Sequence, residues 1–140
     1  MRGHTGGSFT MGVGTIYARS TKQKLNTKSS TETELVGADD CLPQILWTNN
    51  FIKAQGYEIK NTVLYQDNRS TMLLEKNGML SSSKRTKHIN VRYYFIKDQI
   101  DKKNISIEYC PTEEMIADFF TKPLQGNLFV KFRAKIMGLE

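Results

Sequence analysis

The chain has 140 residues, of which 39% are hydrophobic, and it carries a formal net charge of +6. This length suits one domain with a modest core, and the hydrophobic fraction is too high for a fully disordered protein. No apolar run approaches the roughly 20 residues of a membrane span and no signal-peptide pattern opens the sequence, so we expect an intracellular protein without membrane contact.

The two cysteines and the excess of basic residues exclude few classes of function. Cys41 and Cys110 lack partners at metal-ligand spacing, so we expect reduced, buried thiols. The positive charge suits a polyanionic partner without requiring one.

The N-terminal region is predicted to form a β-hairpin. Residues 8–11 form a short run between glycine-rich segments, and residues 15–20 are the expected partner strand. Residues 21–28 are polar and basic, and we interpret them as a connector that ends at Lys28.

A long helix is predicted over residues 31–55. Two overlapping capping boxes fit its start, and their acidic members are Glu32 and Glu34. Gly56 is expected to end the helix, and Trp47 is expected to lie in the core. Apolar residues recur at helical spacing and predict the buried stripe: Leu35, Ala38, Leu42, Ile45 and Leu46.

The middle of the chain is predicted to contain a strand over residues 62–66. Asp67 ends this strand, and Asn68 is placed to cap a helix over residues 69–76. An Asp-Asn pair in this position is commonly only a turn, but the end of a strand is also where sites form in α/β sheets.

The C-terminal half is predicted to contain a long helix, a strand, a short helix and a last helix, in that order. The predicted ranges are a helix over 87–102, a strand over 105–109, a short helix over 112–120 that contains Asp118, and an amphipathic helix over 128–137. The order of these elements predicts an α/β fold with a mixed sheet that is antiparallel at its start.

Four stretches, in order along the chain, carry a family resemblance. They are residues 29–35 (SSTETEL), 65–68 (YQDN), 85–93 (RTKHINVRY) and 109–124 (YCPTEEMIADFFTKPL). Together they closely resemble the C-terminal ribonuclease H domain of copia-type retrotransposon polyproteins. The resemblance implies a ribonuclease H-like mixed sheet with flanking helices, and cleavage of RNA in RNA·DNA hybrids during reverse transcription. It also implies two Mg²⁺ ions, with Mn²⁺ as an alternative.

The resemblance assigns three carboxylates to catalysis and metal binding, namely Glu34, Asp67 and Asp118. Read without it, Glu34 is a capping residue, Asp67 a turn residue and Asp118 a solvated helix residue. Glu32 competes with Glu34, because helical phase does not separate the two, but the family alignment favours Glu34.

One element of the family pattern has no counterpart in this sequence. The family's first strand is the central one and bears a fourth carboxylate, whereas this chain starts at the segment that follows it. We therefore expect residues 1–125 to form a ribonuclease H-like domain that lacks its first, central strand, and residues 126–140 to form a helical tail. We also expect the chain to be inactive as it stands.

Basic residues interleaved with tyrosines predict contacts with a nucleic-acid backbone, although a solvated helix face is the alternative. The candidate contacts are Lys28, Asn68, Arg85, Lys87, His88 and Arg92. The implied partners are an RNA·DNA hybrid and a reverse transcriptase domain upstream in the same polyprotein, in a cytoplasmic particle or the nucleus. Two rival interpretations are a non-catalytic nucleic-acid-binding module and a structural part of the polyprotein.

Overall fold

The computed structural model describes residues 2–27, 29–69, 71–72 and 87–139, except for the side chains of residues 87–90. Two 3-10 helices, Thr112–Glu114 and Ile116–Phe120, lie near the C-terminus. The strands and α-helices are β1 (Arg2–Thr10), β2 (Thr15–Asn26), α1 (Ser30–Ala54), β3 (Val63–Gln66), α2 (Lys87–Asp101), β4 (Ser106–Tyr109) and α3 (Gly126–Met137).

The predicted hairpin is confirmed and is longer than expected. β1 and β2 are antiparallel, with Phe9 opposite Tyr17. The connector predicted over residues 21–28 is wrong, because β2 continues to Asn26. The buried Gln23 side chain explains the extension, since its amide donates to the Thr5 hydroxyl at 3.1 Å and to the Thr33 carbonyl at 2.9 Å. These bonds give the side-chain nitrogen of Gln23 partners inside the protein, in a segment that looked like a loop.

The long helix α1 follows the prediction closely. The Ser29 hydroxyl accepts the Glu32 backbone N–H at 3.2 Å and caps the helix, and Gly56, at φ 91°, lies just beyond its end. The predicted apolar stripe is buried or partly buried. The prediction for Trp47 is wrong, because this side chain is 61% exposed and stacks on Phe51 with ring centroids 5.3 Å apart.

The strands form two separate pairs within the described residues. β1 pairs with β2, whereas β3 pairs in parallel with β4, with Leu64 opposite Ile107. The described strands therefore form one antiparallel pair and one parallel pair rather than one joined mixed sheet, and the ribonuclease H-like fold stays a prediction. The main core cluster draws on α1, α2 and the β4 region, and it consists of Leu35, Ala38, Leu42, Tyr93, Ile96, Ile105 and Ile107.

Two short helical segments test local predictions. Asn68 caps the helical turn after β3, because its side-chain oxygen accepts the Thr71 N–H at 3.1 Å. The predicted end of that helix lies outside the described residues. The single helix predicted over residues 112–120 is wrong: it is two 3-10 helices, separated at Met115, whose ψ of 89° is not helical.

The C-terminal tail packs against the rest of the domain. Phe132 of α3 is fully buried, and Phe129 stacks on Phe119 with ring centroids 5.2 Å apart. Across the ranges that the structure describes, no helix combines the length and apolarity needed to cross a bilayer.

Both cysteines are free and half-buried. Cys41 lies so close to β1 that a Cβ on Gly7 would come within 2.5 Å of its sulfur, which explains a glycine in that strand. Burial raises the pKa of the Cys41 thiol to about 11. The thiol is therefore protonated at neutral pH and serves as an apolar packing group.

Arg92 joins α2 to α1 through an ion-pair cluster. Its guanidinium pairs with Asp39 and lies 3.4 Å from Asp40. The Asp40 carboxylate also accepts the Thr5 hydroxyl at 2.7 Å, and its backbone carbonyl accepts Arg19 at 2.9 Å. The cluster therefore connects the hairpin, α1 and α2.

We expect Arg92→Met to lower the free energy of unfolding by about 1–3 kcal/mol, between the values for exposed and buried ion pairs. The change leaves the carboxylates of Asp39 and Asp40 without their shared cation. The matched control is Lys97→Met, which removes a single pair with the exposed Asp101 on α2 and should cost only about 0.3–0.5 kcal/mol. Urea denaturation measures both, and equal losses would contradict a structural role for Arg92.

Candidate functional site

A groove of about 980 Å³ is lined by both strand pairs. β1 contributes residues 6–10 to its wall, β3 contributes all four of its residues, and α1 contributes a face that includes Ala38 and Ile45. Among the described residues, β1 and β3 each have one strand neighbour. Each of these two strands therefore has an edge whose backbone groups no other described strand pairs.

The three carboxylates predicted from the sequence all line this groove. Glu34 lies near the start of α1, Asp67 follows β3 directly, and Asp118 belongs to the second 3-10 helix. The fold thus gathers three side chains that are separated by 33 and 51 positions in the sequence (67 − 34 and 118 − 67).

The carboxylates act on one another electrostatically. Glu34 keeps contact with solvent, but the protein atoms packed around its carboxylate remove part of its hydration, and this desolvation is the main reason that the Glu34 pKa is raised. The negative charges of Asp67 and Asp118 raise the Glu34 pKa further. Burial also raises the pKa of Asp118, with Lys122 opposing the shift and Asp67 adding to it.

The two candidate glutamates at the start of α1 differ in whether they line the groove. Glu34 lines the groove, and Glu32 is not among its lining residues. The backbone N–H of Glu32 is instead part of the helix cap at Ser29. This placement supports the choice of Glu34 that the family alignment favours.

Lys122 is a member of the site that sequence reasoning missed. Its ammonium lies 3.1 Å from the Asp118 carboxylate. Burial acts to lower the Lys122 pKa, but the hydrogen bond and charge of Asp118, together with the charges of Asp67 and Glu34, outweigh it and raise the pKa. The signal in the sequence was the spacing of four residues between Asp118 and Lys122, which suits an ion pair across one helical turn.

The three carboxylates have the chemistry of ligands for a hard divalent cation but are not gathered at one point. Carboxylate oxygens are the ligands that Mg²⁺ prefers, and Lys122 stands in as a cation at Asp118. In the described part of the chain, however, no three His, Cys, Asp or Glu side chains are close enough together to hold a metal ion. The carboxylates therefore share the groove without forming a closed three-ligand site.

The structure describes the side chains of some of the predicted nucleic-acid contacts and not of others. Asn68 caps a helical turn, and Arg92 pairs with Asp39 and Asp40. Lys28 and Arg85 lie outside the described residues, as do the side chains of Lys87 and His88. These six contacts stay predictions. A cation missed by the sequence analysis is Arg69, whose guanidinium lies 4.6 Å from the centre of the Tyr109 ring, beside the groove.

Comparison with known proteins finds similarity to polyproteins of transposons. The chain is 35% identical over 125 residues to the retrovirus-related Pol polyprotein from transposon TNT 1-94 of Nicotiana tabacum. The aligned residues cover 89% of this chain and 9% of that protein. It is 31% identical over 118 residues to the Pol polyprotein from transposon RE1 of Arabidopsis thaliana, covering 84% of this chain and 8% of the relative. The Ty1-NL2 Gag-Pol polyprotein of Saccharomyces cerevisiae is 25% identical over 124 residues, which cover 89% of this chain and 7% of that protein.

No family model and no solved structure matches the chain significantly. The chain spans less than a tenth of the length of these relatives. The retrotransposon part of the expected resemblance is confirmed, and the ribonuclease H assignment stays a prediction. The chain is therefore homologous to a short segment of retrotransposon Pol polyproteins.

Proposed function

We propose that this chain is a ribonuclease H-like domain of a copia-type retroelement polyprotein and that it serves metal-dependent cleavage of RNA in RNA·DNA hybrids. The observation that carries the proposal is the convergence of Glu34, Asp67 and Asp118 on one groove. Homology to Pol polyproteins over most of the chain supports it. Such polyproteins are the context in which hybrid cleavage is needed.

The proposed fold requires one more strand in the groove. β1 and β3 both line it, and a strand lying between them would join the two pairs into one five-stranded mixed sheet. Its inward side chains would contact the apolar face of α1, and its edges would satisfy the backbone groups of both neighbours. In the family that this chain resembles, the central strand also brings the fourth carboxylate.

In the proposed site, Glu34, Asp67 and Asp118 would hold Mg²⁺, with two ions expected once all four carboxylates are present and Mn²⁺ as the alternative. Divalent ions bound there would supply Lewis-acid and water-activating chemistry for phosphodiester cleavage. The chain's own contribution is placement, because α1, the end of β3 and the second 3-10 helix each present one carboxylate to the groove. Lys122 favours the charged form of Asp118.

Substrate recognition would rest on shape and backbone charge. Basic residues such as Lys87 and Arg85 would contact phosphates, and the hybrid would be distinguished by its geometry and its ribose 2′-hydroxyls. We further propose that the domain works beside a reverse transcriptase domain of the same polyprotein, in a cytoplasmic particle or the nucleus.

The chain alone should bind a labelled RNA·DNA hybrid with an affinity that falls steeply with salt, because each phosphate contact releases counterions. Cleavage by the chain alone should be slow, since the family that this chain resembles uses a fourth carboxylate on its central strand. Fluorescence anisotropy measures binding, and gel analysis of end-labelled RNA with and without Mg²⁺ measures cleavage. Equal affinity for the hybrid and for double-stranded DNA of the same length would contradict recognition of the hybrid.

The second candidate function is a non-catalytic nucleic-acid-binding module. The observation that favours it is the absence, within the described residues, of three metal-ligating side chains gathered at one point. Hybrid binding without cleavage, persisting after a strand bearing an Asp has been added, would select this candidate. If the chain neither binds nor cleaves the hybrid, a role as a structural part of the polyprotein is favoured instead.

A further inference from the structure

We propose that Arg69, stacked on Tyr109, is a contact for a phosphate of the nucleic-acid backbone at the edge of the groove. The proposal rests on the nucleic-acid binding in the proposed function, and it names one residue through which that binding takes place. It requires no metal ion, so it can be tested in EDTA.

The first step is the fixed placement of the two side chains. Tyr109 ends β4 opposite Gln66 of β3, and just beyond it the Cys110 N–H donates to the Gln66 carbonyl at 2.8 Å. Arg69 belongs to the helical turn after β3, in which the Thr71 side chain is fully buried. The Thr71 hydroxyl donates to a carbonyl of α1 at 3.4 Å. The backbone on both sides of the stack is therefore anchored to the fold.

The second step is the geometry of the stack. The guanidinium carbon of Arg69 lies 4.6 Å from the centre of the Tyr109 ring, which is within the range of a cation–π contact. Stacking uses one face of the planar guanidinium and leaves the N–H donors at its edge able to bind two oxygens of one phosphate. The ring also restricts the arginine before a ligand arrives, which lowers the entropic cost of binding.

The third step is the charge of Arg69. Its side chain is exposed, and no carboxylate in the described part of the chain forms an ion pair with it. The ion pairs there use other basic side chains, on Arg92, Lys97, Lys102 and Lys122. A phosphate can therefore bind Arg69 without displacing a carboxylate of the described residues.

The fourth step is the negative charge inside the groove, which Tyr109 lines. Burial raises the pKa of the Cys110 thiol and three carboxylates raise it further, whereas Lys135 lowers it. These carboxylates would repel a polyanion that approaches the residue next to Tyr109. A nucleic-acid backbone passing here needs a cation close by, and Arg69 provides one on the ring itself. The net charge of +6 attracts the same ligand from a distance.

The chain offers a matched control in Arg133 of α3. Its side chain is exposed, as that of Arg69 is, and it does not line the groove. Within the described residues it takes part in none of the ion pairs and does not stack on a ring. Arg69→Gln and Arg133→Gln remove the same charge, so a difference between them reports the position of the charge.

The test is fluorescence anisotropy with a labelled RNA·DNA hybrid in EDTA, over a series of KCl concentrations. Arg69→Gln should bind about threefold to tenfold more weakly than the unaltered chain at low salt. The slope of log affinity against log salt should become shallower by about one, because one phosphate contact is lost. Arg133→Gln should bind within about twofold of the unaltered chain, since a distant exposed charge is screened.

Two further variants test the stack itself. Arg69→Lys keeps the charge but lacks the planar pair of donors, so it should bind more weakly than the unaltered chain. Tyr109→Leu removes the ring that orients the guanidinium and should weaken binding while Arg69 is still present. Unchanged affinity in both variants would refute a role for the stack.

A second measurement uses the unaltered chain and so does not depend on the folding of any variant. Phenylglyoxal modifies exposed arginine side chains, and mass spectrometry locates the modified residues. Bound hybrid should protect Arg69 and leave Arg133 as reactive as in the free chain. Equal reactivity of Arg69 with and without the hybrid would overturn the proposed contact.

The outcomes separate this proposal from the proposed function. If the unaltered chain binds the hybrid and Arg69→Gln binds with the same affinity and salt slope, the role of Arg69 is refuted and nucleic-acid binding stands. If Arg133→Gln loses as much affinity as Arg69→Gln, the effect is one of net charge and the proposal fails. If binding depends on Arg69 but a chain with an added Asp-bearing strand does not cleave, the contact stands and the cleavage proposal fails. If the unaltered chain binds no nucleic acid, both are refuted.

Discussion

An Asp-bearing β-strand joined ahead of Arg2 should raise the free energy of unfolding by several kcal/mol and should increase hybrid cleavage strongly. The groove is lined by two strands that each have one strand neighbour among the described residues, and by the apolar face of α1. Burying several side chains there contributes about 1.5–3 kcal/mol each. Small domains are stable by only about 5–15 kcal/mol, so the chain alone should be weakly stable and prone to aggregate.

Circular dichroism and calorimetry during thermal and urea unfolding measure this gain. A register control carries the same strand residues shifted by one position, which turns the apolar side chains away from α1 and should lose the stability gain. A second control replaces the strand Asp by Asn and should keep the stability but lose the cleavage. The strand proposal would be refuted if the chain without the added strand already unfolds in one sharp transition and gains no stability when the strand is added.

Asp67→Asn in the strand-bearing chain should reduce hybrid cleavage by more than about 100-fold, since loss of even an outer-shell partner of a metal site costs 10- to 100-fold. The substitution is nearly isosteric and removes the charge that a hard cation requires. Glu34→Gln should have an effect of the same size, because both carboxylates line the groove. Cleavage rates with Mg²⁺ and thermal unfolding of each variant separate loss of chemistry from loss of fold.

The matched control is Glu32→Gln. Glu32 lies two residues before Glu34 in the first turn of α1, and it is not among the residues that line the groove. We expect this variant to cleave at the rate of its parent. Loss of cleavage in Glu32→Gln together with full cleavage in Glu34→Gln would reverse the assignment of the two glutamates.

Local interactions explain the features that the sequence determined by itself. The start of α1 follows from the Ser29 cap, and its end lies just before Gly56. The turn after β3 follows from the Asn68 cap, and the buried stripe of α1 follows from its helical period. Each of these involves residues within a few positions of one another, so propensity, capping and periodicity suffice to predict them.

Contacts between distant residues decided the features that the sequence analysis got wrong or missed. β2 extends to Asn26 because Gln23 finds partners on β1 and α1, 18 and 10 positions away. Trp47 lies on the solvent side of α1, whereas a large aromatic residue is commonly buried. Arg92 pairs with Asp39 at a separation of 53 positions, a contact that the sequence analysis missed.

The candidate site depends both on the local sequence and on the tertiary structure. The residue types and the order of the motifs suffice to identify Glu34, Asp67 and Asp118 as candidates, and homology with Pol polyproteins agrees with their retroelement context. Their meeting at one groove, the choice of Glu34 over Glu32 by placement and the position of Lys122 are properties of the folded chain alone. The reason is physical: a carboxylate's neighbours are set by how helices and strands pack, and that packing depends on contacts across the whole chain, which no local pattern records.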